Sequence, residues 1–122
     1  MPFNRITSKQ AATADTLAIH GVEVAHYFGG GAYAKEVRIP AGAQVHQHIH
    51  PHAHLSILAS GRVVVTADGE RTEFAGPACL EIQAGVAHAI EALTDAVWYC
   101  IHATDDEDPA TVDTSILTGK NV

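Results

Sequence analysis

The sequence is short of basic residues, with seven Lys and Arg against fourteen Asp and Glu and a net charge of −7. Nucleic acid and anionic membrane surfaces are bound through concentrated Lys and Arg. No such cluster occurs, so neither is an expected partner. Cysteine is nearly absent: Cys79 and Cys100 are too few for a disulfide framework and fit a reducing compartment. No apolar run approaches the roughly 20 residues of a membrane span. The opening stretch MPFNRITSKQAATADTLAIHG lacks the continuous apolar segment of a signal peptide. The expectation is a soluble, cytoplasmic protein. Also missing are strand–helix alternation, an internal repeat, a heptad pattern, a phosphate-binding glycine loop, G-x-S-x-G and cysteine pairs at zinc-finger spacing.

What is present is a set of short apolar runs punctuated by turns. The 122 residues suffice for one compact domain, and 47% hydrophobic against 17% charged residues supports a real core. Strand-like segments run over 22–28, 33–39, 44–50, 55–60, 62–67, 71–74, 79–83, 88–93 and 97–103. Between them lie GGG at 29–31, PAG at 40–42, DG at 68–69, GP at 76–77 and AG at 84–85. Asp68-Gly69 suits a tight primed turn and marks the clearest hairpin. Residues 1–20 are mixed and favour neither strand nor helix. So many short strands predict an all-β, mostly antiparallel sandwich or barrel, one domain over 1–122 with a barrel core at about 22–103. The acidic C-terminal tail, 104–122, is expected to fold over the barrel or an interface, with Asp108-Pro109 able to open a short helix.

Histidine is the exception to this plain composition. HQHIHPHAH, residues 46–54, holds five of the nine histidines. A metal site, an exposed polar strand and a histidine tract without fixed partners compete to explain it. Strand side chains two apart share a face, so a strand over 44–50 would point His46, His48 and His50 one way. Pro51 lacks an amide hydrogen and should end that strand, leaving His54 able to turn back beside the others. His88 follows 34 positions later. Two ligands at i and i+2, a third soon after and a fourth from afar make a site that depends on the folded chain.

GAQVHQHIHPHAHLSILASG resembles the first motif of the cupin family, G-x5-H-x-H-x3,4-E-x6-G, with Gly42, His48, His50 and Gly61 in place and His54 where Glu is usual. GPACLEIQAGVAH resembles the second, G-x5-P-x-G-x2-H-x3-N, with Gly85 and His88 in place. Gln83 replaces the Pro, Ala92 replaces the Asn, and Gly76 lies one residue too far upstream. The similarity covers about 35–102. It implies a cupin-type double-stranded β-helix, the jelly-roll barrel, holding one divalent transition metal ion (Fe, Mn, Cu, Ni or Zn) through His48, His50, His54 and His88. His54 pointing elsewhere would leave His48, His50 and His88. Four neutral imidazoles would leave the full dipositive charge on the ion, a stronger Lewis acid than one bearing a carboxylate.

The resemblance leads to a metal-dependent oxidoreductase, dioxygenase-like, acting on a small organic molecule, and to a homodimer that shares edge strands. A non-redox lyase or isomerase and a non-catalytic ligand-binding or metal-binding module are the rivals. No catalytic acid or base is identifiable. His46 either lines the cavity or faces solvent, and His52 in the Pro51 turn is expected to face water. On the last strand, Trp98, Cys100 and His102 share one face and Val97, Tyr99 and Ile101 the other. Both sets are largely apolar, so which one faces inward is undecided.

Overall fold

Alternation along each strand builds two antiparallel sheets whose apolar faces meet. The computed structural model describes residues 12–16, 21–46 and 49–112. In chain order the strands are β1 (Ala12–Thr16), β2 (Glu23–Gly29), β3 (Ala32–Ile39), β4 (Gln44–His46), β5 (His54–Ser60), β6 (Arg62–Ala67), β7 (Glu70–Ala75), β8 (Ala78–Ile82), β9 (His88–Ala92) and β10 (Ala96–Ala103). Six of them form a sheet in the order β1-β2-β3-β10-β5-β8, and the other four form β4-β9-β6-β7. Every pairing is antiparallel. The expected strands lie within one or two residues of these bounds, with two exceptions: β1 occupies a stretch whose pattern favoured nothing, and β4 stops at His46. Asp68 and Gly69 both take positive φ, 54° and 80°, in the primed turn that joins β6 to β7.

The strand phase sets the core. On β10, Ala96, Trp98, Cys100 and His102 point inward and are buried. Ala96, Trp98 and Cys100 share one core cluster with Leu58 of β5, Val37 and Ile39 of β3, and Val63 and Ile90 from the facing sheet. Burying each large apolar side chain contributes about 1.5–3 kcal/mol. A second cluster, Phe28, Tyr33 and Val112, fills the end of the barrel where β10 finishes. Val112 arrives there by a turn in which the Asp108 carboxylate accepts the Ala110 amide at 2.9 Å and the Asp108 carbonyl accepts the Val112 amide at 2.9 Å. Asp108 thus caps this turn, while Asp105, Glu107 and Asp108 themselves are exposed. The tail from 113 on lies outside the described residues. Among the described residues, no helix is long and apolar enough to cross a membrane.

Candidate metal centre

Cross-strand register brings distant histidines together inside the barrel. Tyr33 on β3 pairs with His102 on β10, and Phe28 on β2 pairs with Tyr33. On the other side of β10, Cys100 pairs with Ser56 and Ile101 with Leu55 of β5. One step further, the same register sets His102 beside His54, and their rings stack with centroids 4.3 Å apart. One inward row thus runs Phe28, Tyr33, His102, His54. Both histidines come from residues whose strand neighbours, Ser56 and Cys100, are fully or almost fully buried.

His50 reaches the same place by leaving its strand. In β4, Val45 is half-buried while Gln44 and His46 are exposed, so regular alternation would carry His50 to the solvent side with His46. Instead β4 ends, and His50 is 6% exposed. The expectation that His46 and His50 share a face does not hold. Its ring lies 4.9 Å from that of His54 and 4.6 Å from that of His102. His46 is the exposed alternative, not a cavity residue. His52 is half-buried rather than simply facing water. His48 lies outside the described residues. His88 opens β9 on the four-stranded sheet, 4% exposed, its ring 6.4 Å from His54.

The ligand nitrogens of His50, His54 and His102 lie within 4.8 Å of one another. A nitrogen–metal distance of about 2.0–2.1 Å allows two nitrogens on one ion to be at most about 4.2 Å apart, so small ring adjustments suffice. Burial suits these groups to ligation, because only neutral imidazole offers a lone pair. The His54 pKa is lowered to about 4, first by burial and then by repulsion from His50, His88 and His52. The His102 pKa is lowered to about 3, first by burial and then by His54 and His50. Burial also lowers that of His88, against a smaller upward pull from the Val86 backbone. Both ring nitrogens of His54 and Nδ1 of His102 are buried with no hydrogen-bond partner among the described residues. Buried polar atoms are rarely left so, and a cation is the partner that would satisfy several at once.

Among the described residues, carboxylates stand elsewhere. Glu36 is buried, but it projects from the outer face of β3, where it accepts hydrogen bonds from Arg38 Nε at 3.0 Å and from the Tyr99 hydroxyl. Glu81 is exposed, and Glu91 pairs with Arg71 at 3.5 Å. A groove of about 300 Å³ lined by Glu23, Arg38, Ser60 and Asp95 sits at the Ala96 end of β10. His102 is six residues along that strand, about 20 Å away. The sequence offers no partner for His20 or His26, and His20 lies outside the described residues. His26 bonds the Tyr33 hydroxyl through Nδ1 at 2.6 Å, and Tyr33 stacks on His102 with centroids 6.3 Å apart. The signal for His26 was its β2 phase, shared with Phe28.

Residues 35–102, from β3 through His102, match the family model described as the Cupin domain. The chain is a cupin. Its fold is similar to that of an RmlC-like cupin from Shewanella frigidimarina, with TM-score 0.63 and 18% identity over 74% of this chain and 81% of that one. It is also similar to KdgF from Halomonas sp., with TM-score 0.64 and 14% identity over 78% and 91%. A Cupin 2 conserved barrel domain protein from Salinispora arenicola has TM-score 0.62 and 16% identity over 88% and 91%. No curated protein matches significantly in sequence. At these identities the likeness speaks for the fold. In this cupin, His50 and His54 from the first motif form with His102 a buried histidine cluster consistent with a metal ion, and His88 from the second motif is buried nearby.

Proposed function

We propose that this cupin binds one divalent transition metal ion (Fe, Mn, Cu, Ni or Zn) through His48, His50, His54 and His88. On this reading it acts as a dioxygenase-like oxidoreductase on a small organic molecule. The observation that carries the reading is an interior cluster of three buried imidazoles, His50, His54 and His102, with no carboxylate among the described residues in it. When bound, the ion would supply a Lewis-acidic centre whose potential is raised by the absence of an anionic ligand. The protein's own part is to hold its imidazoles neutral, fix their rings by mutual stacking and keep water from the apolar wall of Leu58, Trp98 and Ile90. With no carboxylate in the cluster, proton transfer to a substrate would fall to an imidazole, which weakens the lyase and isomerase reading.

Untagged protein should carry close to one equivalent of Fe, Mn, Cu or Ni, lost in His54→Gln, and consume dioxygen with one of a panel of enolisable and catecholic compounds. Turnover without oxygen uptake would replace this reading with a lyase or isomerase. A compound held without turnover would make it a binding module, and protein left empty after incubation with these ions would remove the metal.

Cys79 and Cys100 form no disulfide, which supports a cytoplasmic setting as part of the same proposal. A homodimer completes it. Leu55 and Ile57, 50% and 37% exposed, lie on the outer face of β5 next to the edge strand β8, where a second copy would cover them. Light scattering behind size exclusion should give twice the 12.9 kDa chain mass; a monomer mass at micromolar concentration would overturn it.

A further inference from the structure

The two cupin motifs supply His48, His50, His54 and His88, and none of these lies on the last strand. His102 does. Its side chain points inward from β10, buried, with its ring 4.3 Å from that of His54 and 4.6 Å from that of His50. Its ligand nitrogen joins those of His50 and His54 within 4.8 Å, a group that does not include His88, whose ring is 6.4 Å from His54. Nδ1 of His102 is buried and has no hydrogen-bond partner among the described residues.

We propose, resting on the metal reading above, that His102 is itself a metal ligand, joining His50 and His54 in holding the same ion. Two of these come from paired strands of one sheet, so β5 and β10 fix their spacing through backbone register and not through loops. Behind them, Tyr33 is held by the 2.6 Å bond to His26 and stacks on the outer side of His102. That contact makes Tyr33 a positioning residue for the ring. A metal site loses its geometry when the groups that orient its ligands are removed, and here the orienting pair is itself buried.

The test is titration of untagged, metal-stripped protein with Co2+ in competition with a chromophoric chelator, comparing wild type, His54→Gln and His102→Gln. Gln keeps much of the ring's volume and polarity but offers no imidazole nitrogen. The expected result is abolition of binding in His54→Gln and a loss of affinity of at least about a hundredfold in His102→Gln, with an altered Co2+ visible spectrum. Affinity within tenfold of wild type and an unchanged spectrum in His102→Gln, with His54→Gln still abolishing binding, would overturn the role of His102 and leave the metal reading standing. Failure of the wild type to bind Co2+ would overturn both. Should His102→Gln not fold, the wild-type imidazole 15N resonances decide. On Zn2+ addition the His102 signal is expected to move together with those of His50 and His54, and a static His102 signal would overturn the proposal.

Discussion

Gly61→Ala is expected to lower the melting temperature by at least about 10 °C. Gly61 joins β5 to β6, where the chain passes from one sheet to the other, and its φ is +92°. An added Cβ would lie 2.3 Å from the Asp95 carbonyl oxygen, 2.7 Å from Ala96 Cα and 2.9 Å from Ala96 Cβ. Two of these three atoms belong to backbone, so no rotamer change relieves them. Nor can the turn slide away, because the Gly61 carbonyl accepts the Gly76 amide at 2.9 Å. Strain from a positive φ costs about 1–3 kcal/mol and overpacking about 1–3 kcal/mol more. Against a total stability of about 5–15 kcal/mol, that is a large share. Gly69→Asn separates the two causes: its φ is +80° but nothing lies within 4 Å, and Asn tolerates that region. Unfolding followed by the fluorescence of Trp98, the only tryptophan and fully buried, should show a small shift for Gly69→Asn. A Gly61→Ala protein melting within 2 or 3 °C (roughly half a kcal/mol) of wild type would show that the backbone there yields.

Strands and turns were legible because their signals are local. Asp68-Gly69 specifies its own turn, and alternation in VEVAHYF or RVVVTA needs no partner to be read. The site was harder for a physical reason: it is made by register. Parity on β10 groups His102 with Trp98 and Cys100, but the opposite face also carries apolar side chains, Val97, Tyr99 and Ile101. The outer face of this sheet is apolar enough, with Leu55 and Ile57 beside Ile101, to hide which side is the core. Only pairing with β3 and β5 decides it. His50 is buried, but not through the geometry that alternation suggests. Alternation extrapolated from His46 assumes an unbroken strand, and β4 ends at His46. His26 looked solitary because its partner Tyr33 lies across a hairpin. β1 was invisible for the opposite reason: its residues, ATADT, carry little apolar pattern, and its strand form comes from pairing with β2.

Metal-free protein should lose stability as the pH falls from 7 towards 4, although acid relieves the repulsion of a chain carrying a net charge of −7. The sign follows from the histidines. Unfolded, each takes up a proton near its ordinary pKa of about 6.5. Folded, His54 resists protonation until about pH 4 and His102 until about pH 3. Between those values the unfolded state binds more protons, so stability is fully present above pH 6.5 and drains away as the pH drops. Each histidine contributes a slope of at most about 1.4 kcal/mol per pH unit. Asp and Glu in an unfolded chain titrate near pH 4, so the loss between pH 6.5 and 5 belongs to the imidazoles. Urea midpoints measured by Trp98 fluorescence at pH 7.5, 6.5, 5.5 and 4.5 should therefore fall steadily, and His54→Gln should flatten the fall. A midpoint that holds or rises from pH 6.5 to 5 would mean that the interior accepts a charged imidazole, which a site built to present neutral nitrogens cannot do. Loading with Zn2+ should raise the midpoint at pH 7, reflecting a stability gain of about 4 kcal/mol at a thousand times the Kd. That gain should disappear on acidification sooner than the fold itself does, because the protons that charge the histidines also displace the ion.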